Sequence, residues 1–276
     1  HVVSGGSHSH LESSALVRNM INYCSFGQDA WTGLEVEKRR TGSRLGNLLC
    51  YACCGILGTL PCSTKDRISR VLKGLYHGRD SASGTAIFGT TGDPDLPHLS
   101  RDCLGNDGQS IIALNIPSYC GGAASRLWDG ATRPGVDPLP DEDLMHAKND
   151  PGDGRLDVVS VQNLVTLSQD WAARCLKNFG GKRIFSGAPL FFEFREDVTA
   201  HCNIDGEYYE VVNPVSATIE PALAPSGKPL KVQVLHVHEQ GEVSEASSDS
   251  DFSLTSEEDT SSDDGASTDA IRLSSR

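Results

Sequence analysis

The sequence predicts an α/β protein dominated by β-structure: an antiparallel, sandwich-like domain with a few helices, followed by a disordered acidic tail. Three observations predict it. Between residues 189 and 238 the apolar positions recur with a period of two, in the runs "PLFFEFRE", "VTAHCNI", "EYYEVV", "SATIEP" and "PLKVQVLHVH". That period belongs to strands, and their succession predicts an antiparallel meander. Asp205-Gly206 separates two of the runs, and both turn positions of such a pair tolerate φ > 0, the strongest short hairpin signal. Finally, residues 239–276 are a Ser/Asp/Glu/Thr stretch with eleven acidic residues against Arg272 and Arg276. Such a composition cannot bury enough apolar surface to offset the entropy of ordering it.

The elements follow in chain order. Residues 1–9 are a polar Gly/Ser/His lead with no expected structure, and residues 11–20 suggest a short helix. "NYCSFGQDA" (22–30) reads as a strand or loop closed by Gly27, and "WTGLEVEKRR" (31–40) as a helix. Residues 45–60 are apolar and suit a helix ended by Pro61, though Gly46, Gly55 and Gly58 weaken it. Ile68, Val71, Leu72 and Leu75 share one helical face in "KDRISRVLKGLY" (65–76). Residues 78–110 and 129–150 have the Gly, Asp, Ser and Pro content of long loops, and 109–119 and 154–161 read as strands. From Val161 to Phe179 the apolar residues form one stripe, predicting an amphipathic helix stopped by Gly180-Gly181. The expected organisation is an unstructured lead (1–9), one β-rich domain (10–238) and the acidic tail (239–276).

Composition narrows the function. The net charge is −13 and most of it lies in the tail, so the body is nearly neutral and lacks the basic face of a nucleic-acid binder. The longest apolar stretch, residues 48–60, is short for a bilayer span, and "HVVSGGSHSH" is no signal peptide. Nine scattered cysteines without a secretory signal predict reduced thiols and a cytoplasmic location. Cys50, Cys53, Cys54 and Cys62 have no matching second pair for zinc; a buried apolar helix explains them better than a metal or acylation. The chain opens on His1, which reads as a fragment, a processed chain or an incomplete reading frame.

Four stretches then stand in order: "NYCSFGQDA", "ALNIPSYCGGAASRLW", "DGRLDVVSV" and "NIDGEYYE". Together they resemble the accessory, C-terminal half of the eukaryotic diacylglycerol kinases, over about residues 20–212. Ile21 departs from the usual Asn of that pattern, and Cys24 from its aromatic. The family's Gly-Gly-Asp-Gly-Thr loop, whose backbone N–H groups approach the nucleotide phosphates, has no counterpart here. The resemblance therefore implies half of a lipid kinase that needs a separate ATP-binding lobe. Its implied partners are diacylglycerol in a membrane surface, visited transiently, and that missing lobe; its implied cofactors are ATP and Mg²⁺.

By the same resemblance Glu207 is the catalytic base that accepts the lipid hydroxyl's proton, and Asp153 corresponds to a Mg²⁺-binding position. From its motif alone Glu207 reads as an exposed strand carboxylate, and the four stretches together favour the base; Asp153 is equally a turn residue before Gly154. Asn115 suits tying down loop backbone, Gly27 and Asp29 suit either a turn or a cleft, and Tyr208 and Tyr209 suit opposite faces of a sheet. His236 and His238 show no third partner for a metal. Two rival functions remain at this stage: a sphingoid-base or ceramide kinase, and a non-catalytic binding module left after loss of the ATP lobe.

Overall fold

In a computed structural model the described residues are 2–4, 15–43, 45–47, 49–50, 53–54, 67–89, 95–99, 108–117, 119, 127–131, 133–139, 141–151, 153–161, 181–222 and 269–275. Of the expected helix over 161–179 only Val161 is described, as the end of a strand; the strand expected over 229–238 with His236 and His238, and most of the acidic tail, lie outside the described residues.

The described strands are β1 (Val2–Ser4), β2 (Ala15–Met20), β3 (Tyr23–Gly27), β4 (Leu72–His77), β5 (Thr85–Gly89), β6 (His98–Leu99), β7 (Ser110–Leu114) and β8 (Arg133–Pro134). They continue with β9 (Val136–Asp137), β10 (Leu156–Val161), β11 (Gly181–Gly187), β12 (Leu190–Phe194), β13 (Thr199–Ile204), β14 (Glu207–Val212), β15 (Pro214–Glu220) and β16 (Asp269–Ser275). Helices α1 (Gln28–Lys38), α2 (Ile68–Val71) and α3 (Leu127–Gly130) and a 3₁₀ turn, Glu142–Met145, accompany them. One sheet runs β1-β14-β13-β3-β7-β10-β11-β8 and a second β2-β16-β15-β12-β4-β5, with a small β6-β9 pair. Among the described strands only β8 joins its neighbour in parallel. The β-rich antiparallel sandwich read from the sequence is the observed fold.

The main core lies between the two sheets. Phe26 of β3 meets Phe192 and Phe194 of β12 at ring-centroid distances of 5.0 and 5.4 Å, with Leu75, Phe88, Ile111, Val158 and Ile184 around them. Each such side chain, fully buried, contributes about 1.5–3 kcal/mol. A second cluster covers the outer face of the larger sheet, where Ile112, Leu114 and Val159 pack with Leu127, Trp128 and Leu144. Strands β7 and β10 are thus buried on both faces, which is why "SIIAL" and "LDVVSV" lack a polar side. Arg183 ties this outer layer down. Its buried guanidinium stacks 4.4 Å from the Trp128 ring and donates to the carbonyls of Trp128, Leu144, Met145 and Ala147.

Several expectations need correction. Residues 15–20 form a strand rather than part of a helix, because β16 from the far end of the chain pairs along them. The helix expected over 65–76 stops after one turn and continues as β4. The reason is a β-bulge. Opposite Glu193 and Phe194 of β12, strand β4 presents Gly74 and Leu72 and skips Lys73, so Leu72 and Leu75 both reach the core three residues apart. A spacing of three imitates a helical face. The expected loop over 78–110 contains β5 and β6, and that over 129–150 contains β8, β9 and the 3₁₀ turn. Val2–Ser4, in the lead expected to be unstructured, pairs with β14, and Asp269–Ser275 at the end of the acidic tail forms β16.

The late strands are not a meander. β11, β13 and β14 belong to one sheet, and β12 and β15 to the other. The chain crosses between sheets at short connections where Asp197 (φ 55°) and Asn213 (φ 53°) take left-handed backbone, which Asp and Asn tolerate better than other non-glycine residues. Among the described residues no helix is long and apolar enough to cross a membrane. The described cysteines, Cys24, Cys50, Cys53, Cys54 and Cys202, are free thiols.

Candidate functional site

The four sequence stretches converge at one end of the larger sheet. Tyr23, where β3 begins, lies opposite Leu114, where β7 ends; Leu114 lies opposite Asp157 near the start of β10; and Cys24 lies opposite Ile204, the last residue of β13. The β2–β3 bend, the Asn115–Pro117 segment, the Asp153-Gly154 turn and the Asp205-Gly206 turn therefore share one rim.

The hairpin forms as its sequence requires. Ile204 pairs with Glu207 across a two-residue turn, with Asp205 at φ 52° and Gly206 at φ 93°. Asp205 does more than turn the chain. Its carboxylate accepts from three successive backbone N–H groups, those of Ile21 (2.6 Å), Asn22 (2.8 Å) and Tyr23 (2.9 Å). The Asp205 N–H in return donates to the Tyr23 carbonyl at 3.0 Å. Asn115 closes the other side of the same bend: its Nδ2 donates to the Ile21 carbonyl (2.7 Å) and its N–H to that of Asn22 (2.8 Å). Asn115 is the loop tie that its sequence position suggested. Asn203 adds a further brace, accepting from the Gly206 N–H at 2.9 Å.

On this braced turn Glu207 is exposed overall, yet its carboxylate is not loose. The Tyr209 hydroxyl donates to Glu207 Oε2, and Arg18 Nε of β2 donates to that hydroxyl at 3.1 Å. Tyr209 is 1% exposed and sits in the inter-sheet core. Burial, reinforced by the Glu207 carboxylate, pushes its phenol up to about 12; Arg18 pulls the other way. Tyr208 faces the opposite side of the sheet, where Gly33 of α1 passes so close that an added Cβ would lie 2.0 Å from its ring.

Gly27 and Asp29 lie where β3 passes into α1. Gly27 has φ 115°, and a Cβ there would meet the Gln109 carbonyl oxygen at 2.2 Å. Asp29, 7% exposed, accepts from the Tyr119 hydroxyl at 2.6 Å and from Ser25.

Asp153 stands on the same rim as Glu207 but four strands away, about 19 Å at the usual strand spacing. Its Oδ1 accepts from the Arg155 N–H at 2.8 Å, within the turn. Asp157, buried, accepts from Asn149. Among the described residues no three His, Cys, Asp or Glu side chains gather as a metal site. No step below runs through the ion.

Burial holds the Asp157 carboxyl above its ordinary value of 3.8, against the lowering effect of its Ser186 and Asn149 hydrogen bonds. The folded protein then binds that proton more tightly than the unfolded chain. This contribution to stability is greatest at low pH and is lost as pH rises from 3.8 through the folded-state value. Asp157→Asn removes it. Urea unfolding between about pH 4 and pH 7 should show the variant gaining on the parent chain as pH rises; a pH-independent difference would contradict the assignment.

The sequence signature of the diacylglycerol kinase accessory domain matches residues 19–208, which include every one of the converging segments. The chain belongs to the diacylglycerol kinase accessory-domain family. A search of the curated proteins finds no match. Within this accessory domain the family stretches are joined by direct hydrogen bonds: "NYCSFGQDA" to the Asp-Gly-Glu turn through Asp205, and to "LNIPSY" through the Asn115 N–H on the Asn22 carbonyl. The neighbours of Glu207 that sequence reasoning missed are Arg18 and Tyr209 as a hydrogen-bonded pair, and Asn203 as a separate brace of the turn. Arg18 and Tyr209 are separated by 191 positions, and nothing in either local pattern signals the pair.

Proposed function

We propose that this chain is the substrate-activating half of a diacylglycerol kinase and that Glu207 is its general base. The observation that carries this reading is the Glu207 carboxylate, mounted on a turn that three backbone donors and two asparagines brace, at the rim where the family stretches meet. Tyr209 engages Oε2, which leaves Oε1 to accept a proton. The free hydroxyl of diacylglycerol would give that proton to Glu207 as its oxygen forms a bond to the γ-phosphorus of ATP. The bond from that phosphorus to the β-γ bridging oxygen breaks, and ADP leaves. Positioning and charge neutralisation dominate such a transfer. ATP, with its Mg²⁺, belongs to a partner lobe bearing the Gly-Gly-Asp-Gly-Thr loop, and the lipid brings the site to a membrane surface.

The test joins this chain behind such an ATP-binding lobe and measures phosphatidate formed from diacylglycerol in mixed micelles, with ceramide as a parallel substrate. Phosphatidate formation by the joined protein, and none by the chain alone, is expected. Preferential phosphorylation of ceramide, or a joined protein that binds ATP yet leaves both lipids untouched, would overturn the reading.

A further inference from the structure

We propose that Arg18 is a positioning residue for Glu207, acting through Tyr209, and that the C-terminal strand β16 is what holds Arg18 in place. This rests on Glu207 as the reactive carboxylate, and it adds two parts of the chain that the Asp-Gly-Glu turn does not contain.

The chemistry of the three groups sets the direction of the chain of hydrogen bonds. A guanidinium can only donate, an ionised carboxylate can only accept, and a phenol has one hydrogen and two lone pairs. Arg18 Nε donates to the Tyr209 oxygen at 3.1 Å, so the phenol hydrogen is directed to Glu207 Oε2. Arg18 also lies over the Tyr209 ring, 5.6 Å from its centroid, which limits the phenol's swing. With Tyr209 1% exposed, water does not compete for that geometry. The carboxylate that projects from an exposed turn is thereby held at one oxygen by a buried, oriented donor.

Arg18 depends on β16. Among the described residues, β16 is the only strand paired with β2. Arg18 lies opposite Ile271, and Ile271 lies opposite Ile219 of β15, a residue with no exposed surface. The register of β2 against the sandwich is thus fixed through a strand from the end of the chain, after the acidic segment. Release of β16 removes the ladder that places Arg18 over Tyr209.

The test uses this chain alone, with 3-fluorotyrosine at position 209. Fluorination lowers the intrinsic phenol value and brings the titration into a measurable range, followed by ¹⁹F NMR. No turnover is involved, so failure of Glu207 as a base would leave this result unaffected. Arg18→Gln should raise the midpoint by at least about half a pH unit, because a cation that favours the phenolate is lost. Arg18→Lys should keep much of the parent value; a merely structural role would make Gln and Lys alike. Truncation after Thr268 and Ile271→Pro should reproduce the rise, and adding Arg18→Gln to the truncation should change nothing more. An unchanged midpoint in Arg18→Gln overturns the positioning role. A normal midpoint in both β16 variants overturns the role of the strand. A truncated chain that unfolds would show the opposite change, a fall to the free fluorotyrosine value, and Ile271→Pro, which interrupts the ladder of this internal strand while keeping the rest of the chain, then decides.

Discussion

Glu207→Gln in the complete enzyme is expected to lower turnover by at least about a hundredfold, the usual worth of a general base, while leaving folding and lipid KM near their parent values. Glutamine keeps the side chain's size, and its amide oxygen still accepts from Tyr209, so the brace survives. What is lost is the capacity to take a proton. The measurement is initial-rate phosphatidate synthesis at saturating ATP, with thermal unfolding as the control for structure. Turnover within a few-fold of the parent enzyme would make Glu207 an ordinary surface carboxylate. A rise in KM at constant turnover would instead mean that it binds the lipid headgroup without taking its proton.

Asp205→Ala is expected to be the most damaging single change at the rim, costing about 3–5 kcal/mol of stability. Two effects add. Three N–H groups lose a charged acceptor, and hydrogen bonds to charged groups contribute about 1.5–3 kcal/mol each before non-additivity. Alanine must also occupy left-handed backbone at φ 52°, a cost of about 1–2 kcal/mol that aspartate avoids in part. Asp205→Asn separates the two. It tolerates the backbone and keeps one acceptor oxygen, so its loss should be less than half that of alanine. Urea unfolding of the chain measures both. Equal losses in the two variants would assign the effect to charge alone, and a loss under about 1 kcal/mol in Asp205→Ala would show that water replaces the carboxylate at this bend.

These expectations connect the local turn to its distant supports, and the same division describes what was legible in advance. The hairpin at 204–207 was readable because its signal is local: Asp-Gly needs no partner to prefer a two-residue turn, and the flanking alternation follows from the pleat. Strands β7 and β10 were readable from short, unbroken apolar runs. Strand β4 was not, because a bulge opposite β12 changed its buried spacing from two to three. Strand β2 was not, because its conformation comes from pairing with residues some 250 positions later. Asn115 could be assigned a structural task from its place after a strand, but the bend that it secures became identifiable only when β3 and β7 were seen side by side.

The amino-acid sequence alone determined the family, the β-rich class, the tight turn and the carboxylate that follows it, since each is carried by short motifs or runs that are read one at a time along the chain. Tertiary structure alone decided that strands alternate between two sheets, that Asp205 caps a bend formed by residues 21–23, and that Arg18 reaches Glu207 through Tyr209. The physical reason is that the Asp205 and Arg18 hydrogen bonds join residues more than 180 positions apart, and the sheet pairings join strands with other elements between them. Their free energy arises only when the chain has closed the intervening loops, and no local periodicity records it.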